Sequence, residues 1–100
     1  MAKKRTTAAF LKTKELVIEN LEYLHLRVDE YTNQGMSDES SLLYNRVITL
    51  LEKAEETHTF QEFEEIISKG KQIEHHLDAW HAQNGGTSIE LKWPSIEPFL

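Results

Sequence analysis

The chain has no cysteine. This excludes disulfides, thiolate zinc sites, iron–sulfur clusters and cysteine nucleophiles together. Proline occurs only twice, at Pro94 and Pro98, and glycine only at 35, 70, 85 and 86. Residues 1–84 therefore hold no proline and only two glycines to interrupt a helix. No apolar run approaches the roughly 18 residues that a membrane-spanning helix needs. The nucleophile elbow G-x-S-x-G, the phosphate-cradling P-loop and the H-E-x-x-H zinc helix are all missing. Gly85-Gly86 follows a helical stretch, so it acts as a stop signal and not as an anion cradle.

What is present is helical periodicity. Phe10, Val17, Leu21, Leu24, Val28 and Tyr31 fall at spacings of 7, 4, 3, 4 and 3, a heptad seam with Lys14 as its polar interruption. Leu11, Leu16, Ile18 and Leu26 widen that face, as expected for a helix with more than one neighbour. The spacing predicts a first helix over about 7–33, with Gly35 as its left-handed stop. Leu43, Val47, Leu50 and Ala54 repeat the pattern in a second helix over 38–57, capped by Ser37 or Asp38. Thr59-Phe60-Gln61-Glu62 is a capping-box pattern that opens a third helix over 60–84, with its seam at Phe63, Ile66, Gly70, Ile73, Leu77 and Trp80. Gly70 inside that seam costs roughly 1 kcal/mol against alanine. It is expected to form a packing notch for an aromatic or leucine from another helix. His76, next to the seam, is expected to be partly buried.

The predicted fold is all-α: an up-down-up, three-helix antiparallel bundle over 1–86, with an extended apolar C-terminal segment over 87–100, packing as a dimer. Thr87 to Trp93 alternates in polarity, placing Ile89, Leu91 and Trp93 on one face, and Ile96, Phe99 and Leu100 continue the apolar character. Such a segment either folds back on the bundle, swaps onto a second copy or docks on another protein.

Charge is divided along the chain. Residues 1–14 hold Lys3, Lys4, Arg5, Lys12 and Lys14 and no acid, whereas the remainder holds all 17 acids and six of the 11 bases. An acidic body disfavours nucleic-acid binding through the folded surface, and the basic arm reads as a solvated tail. The basic opening lacks the apolar region of a secretory leader because Lys12 and Lys14 interrupt it, so a cytoplasmic protein is expected.

For function, the sequence points to a non-enzymatic protein–protein interaction or regulatory module, without cofactor, metal or membrane, associating as a homodimer or with another protein. Trp93, Ile96, Phe99 and Leu100 are the candidate partner-binding residues, since buried aromatics dominate contact energies. One alternative is a metal-dependent helical enzyme. Glu22 and His25, and likewise Asp78 and His81, have the i, i+3 spacing used in di-metal bundles. Both pairs sit one step off their seams, which places them on the rim of the core. A further alternative is a nucleic-acid regulator acting through the basic arm.

Overall fold

In the computed structural model the described residues are 2–33, 37–83 and 91–99, and side chains are described for 8–31, 40–83 and 91–99. Three α-helices account for most of them: α1 (Ala2–Asn33), α2 (Ser37–Glu56) and α3 (Phe60–Gln83). A single 3₁₀ turn, η1 (Glu97–Phe99), follows. The predicted all-α bundle is the observed fold. At about 1.5 Å per residue, the 32 residues of α1 account for most of the 52 Å long axis.

Cross-helix contacts fix the topology. Lys14 of α1 donates a hydrogen bond to the Glu55 carbonyl near the end of α2, and the His25 ring meets Tyr44 near its beginning, so α1 and α2 are antiparallel. Phe10 packs on Phe63, and Tyr31 packs edge-on against Trp80, so α1 and α3 run parallel. The seams meet along the bundle axis. Val17, Leu21, Leu24, Val28 and Tyr31 interlock with Leu43, Val47, Leu50 and Ala54 of α2 and with Phe63, Ile66, Ile73 and Leu77 of α3. Lys14, the polar break in the first seam, has a structural use: its ammonium meets a carbonyl at the negative end of the α2 dipole.

Helix boundaries follow local chemistry. Thr59 caps α3, its hydroxyl accepting the Glu62 amide at 3.3 Å and donating to the Glu62 carboxylate at 3.0 Å. The carboxylate therefore pairs with the hydroxyl, where the capping-box pattern predicts the Thr59 amide. α2 stops at Glu56, one residue before the predicted end, because the Thr57 hydroxyl takes over the Lys53 carbonyl at 2.6 Å.

Two expectations need correction. The basic arm is helical: α1 begins at Ala2, five residues before the predicted start, so Lys3, Lys4 and Arg5 belong to its first turns. His76 is exposed, not partly buried: it lies along the α2–α3 groove, its ring 6.1 Å from that of Tyr31. The expected second neighbour of α1 is present, since α1 packs on both α2 and α3, while Leu11 and Leu26 remain 59% and 62% exposed. The predicted stops at Gly35 and Gly85-Gly86, along with Ile89 and Leu100, lie outside the described residues.

Candidate functional site

Two grooves flank α3, and the chain treats them oppositely. The groove between α1 and α3 is filled by residues 91–99, which run back along α3 from the level of Glu74 to that of Phe60. Glu74 is the anchor. Its buried carboxylate accepts the Leu91 amide at 2.7 Å through Oε2 and the Trp93 indole N–H at 2.9 Å through Oε1. Both oxygens are thus satisfied, which removes much of the cost of burying the group. Across the groove the Asn20 side-chain amide of α1 donates to the Lys92 carbonyl at 3.0 Å.

The Trp93 ring lies over Gly70. A Cβ at residue 70 would stand 2.5 Å from Trp93 Cη2, closer than two carbons can approach. The glycine in the third seam is therefore a notch for an aromatic, as expected, but the aromatic comes from the extended segment and not from another helix. Further on, Ile96 enters the core, and the Phe99 ring stacks on Phe60 at 4.3 Å with planes 10° apart. The 3₁₀ turn is closed by the Phe99 amide donating to the Ile96 carbonyl at 2.9 Å. Of the residues proposed for partner binding, Trp93 and Ile96 pack in cis, Phe99 is half exposed on Phe60, and Leu100 lies outside the described residues.

The groove between α2 and α3 is open. It encloses about 530 Å³ above a floor that includes Leu43, Leu50 and Ile73, and Leu42 stands 54% exposed at its edge. Arg46, Lys53 and Lys69 line it with His76, and no carboxylate is among its described lining residues. Three of the six bases outside residues 1–14 are thus gathered in one trough of an acidic protein. Just outside, Glu65 pairs with Lys69 at 2.9 Å. That hydrogen bond, the Lys69 charge and the nearby Lys53 charge hold the Glu65 carboxyl below its ordinary range. This is what a locally positive field does to an acid. Sequence reasoning did not find this groove, because its cations come from two helices and share no spacing along the chain.

The proposed metal pairs are not brought together. Glu22 and His25 border the α1–α2 groove with Leu26, Ile48 and Leu51, and His25 lies 3.7 Å from Asp29. Asp78 faces the other side of α1, where it accepts a 2.9 Å hydrogen bond from Arg27. Among the described residues no group of three or more His, Asp and Glu side chains could hold a metal ion. Arg27 is itself only 4% exposed, and among the described residues its Nη2, like the buried Nε2 of His81, has no hydrogen-bond partner. Among the described residues no helix is long and apolar enough to cross a membrane.

No family model matches this chain, and no curated protein or solved structure matches it either.

Proposed function

We propose that this chain is a non-enzymatic protein–protein interaction module of the cytoplasm, and that it docks its partner in the α2–α3 groove. The carrying observation is the contrast across α3. One flank is sealed by the chain's own residues 91–99, and the other presents the exposed Leu42 beside Arg46, Lys53 and Lys69, with only α2 and α3 residues among its described lining. A groove between two helices with an exposed apolar side chain at its edge can receive a partner helix. Trp93, Ile96 and Phe99 then act first as the element that completes the bundle. They become available to a partner only when the segment is lifted off Gly70 and Glu74.

Site-specific photo-crosslinking in cells tests this. A photoreactive residue at Leu42, on the edge of the groove, is compared with one at exposed Lys71 on the outer side of α3. A discrete protein adduct from position 42, absent from position 71 and lost on Arg46→Glu, supports the proposal. Identical adducts from both positions, or none from position 42, overturn it.

A further inference from the structure

Both halves of a complementary contact are present on this one chain. The outward face of α1 carries Leu11 and Leu26, the two most exposed large apolar side chains among the described residues. Around Leu26 stand Glu19, Glu22, Asp29 and Glu30, at positions one or two turns away on the same side, and all are exposed. Within 15–30 the one arginine or lysine is Arg27, which is buried against Asp78 and adds no charge to that face. The result is an apolar knob ringed by carboxylates. The α2–α3 groove is its inverse, with the exposed Leu42 beside Arg46, Lys53, Lys69 and His76.

We infer that the α2–α3 groove seats the outward face of α1 from a second copy of this chain, with Leu26 against the exposed Leu42 and the surrounding carboxylates against Arg46, Lys53 and Lys69. This rests on the groove being a docking site, as proposed above, and adds the identity of the occupant. The lengths agree. Glu19 to Glu30 and Leu42 to Lys53 each cover eleven residue steps, about 17 Å of helix. Charge selects this pairing over the alternatives. Two-fold pairing of either surface with its own copy sets acid against acid or cation against cation. A nucleic acid meets only three strong cations, bordered by acids such as Glu65, where duplex binding needs a longer positive track.

Geometry then dictates the assembly. The knob lies on α1 beside the α1–α2 groove, and the cationic groove lies between α2 and α3, so they are different patches of one chain. A contact between different patches is heterologous, and unless two copies engage reciprocally it continues into a ring or an open chain.

Two exposed substitutions test the inference without touching the core. Sedimentation of the full chain across the micromolar range should show a mass that rises with concentration above 11.7 kDa. Leu26→Ser removes the knob and Arg46→Glu reverses the groove charge, and each should weaken association at least about tenfold. Melting temperatures equal to that of the parent chain confirm that both variants fold. The decisive arm is the mixture. The Leu26→Ser chain keeps its groove and the Arg46→Glu chain keeps its knob, so together they should form a one-to-one dimer that grows no further. A parent chain that stays monomeric, association indifferent to both substitutions, or a mixture that forms no dimer overturns the inference. If the Leu42 photo-adduct nonetheless contains a different protein, the groove remains a docking site and only its occupancy by a second copy falls. A nucleic-acid adduct at that position overturns both.

Discussion

The two flanks of α3 differ in what covers them, and the difference begins with side-chain size. On the α1 flank Gly70 has no side chain, so an indole can lie against the helix backbone, and Glu74 supplies two acceptors where the incoming segment brings two donors. On the α2 flank the corresponding surface carries long cations, which hold their charge in water, and its described lining comes from α2 and α3 alone. A helix can thus be sealed on one side and open on the other through a few positions. The seam residues beneath both grooves are the same kind of aliphatic core.

That shared core sets the largest expected effect. Leu24 and Leu77 are fully buried on α1 and α3, and replacing either with alanine should cost about 2–5 kcal/mol in denaturant unfolding. In a chain of 100 residues this approaches the whole stability. A loss below about half a kcal/mol at both positions would show that neither is a core residue.

Next comes the sealed groove. Trp93→Ala removes the ring from the Gly70 notch and leaves the buried Glu74 carboxylate short of a donor. It should cost about 2–4 kcal/mol. Trp93 fluorescence, read in a Trp80→Phe background, should be blue-shifted in the parent chain and shift red when residues 97–100 are removed. A solvated emission at the start would mean that the groove is not closed by this segment.

Gly70→Ala sharpens the comparison, because its sign should reverse. In the full chain the new methyl collides with Trp93 and should destabilise by about 1 kcal/mol or more. In a chain ending at Gly86 the collision is gone, and the gain in helix propensity should stabilise by up to about 1 kcal/mol. The same sign in both backgrounds would contradict the notch.

The smallest effects belong to the open side. Leu42→Ser and Arg46→Glu should each change stability by less than about 0.5 kcal/mol, since neither side chain is enclosed. A larger loss would mean that the groove is part of the fold and not a surface left for a partner. The Glu65–Lys69 pair has a sign that can be worked out. A carboxyl held below its ordinary range contributes above the unfolded value, and its contribution is lost as pH falls through the lowered one. Both groups are exposed, so solvent screens the pair. Melting curves of Glu65→Gln and the parent chain should therefore coincide from neutral pH to pH 3.

The helices and their buried faces were legible because each depends on residues three or four apart. The seams at Val17 to Tyr31, Leu43 to Ala54 and Phe63 to Leu77 are local repeats, and so is the Thr59–Glu62 cap. Gly70 was legible as a notch for the same reason, as a gap in a repeat. The extended segment's apolar character and the exclusions drawn from missing cysteine and missing motifs were also properties of sequence alone. Where that segment lies was decided by contacts between distant residues. Glu74 is 17 and 19 positions from Leu91 and Trp93, and Asn20 is 72 from Lys92. Periodicity carries no information at such separations. The exposure of Leu11 and Leu26, the pairing of buried Arg27 with Asp78 and the gathering of Arg46, Lys53 and Lys69 in one groove were decided the same way. Which helix faces become neighbours depends on how the three helices pack, and only that packing turned scattered charges on an acidic chain into a cationic trough.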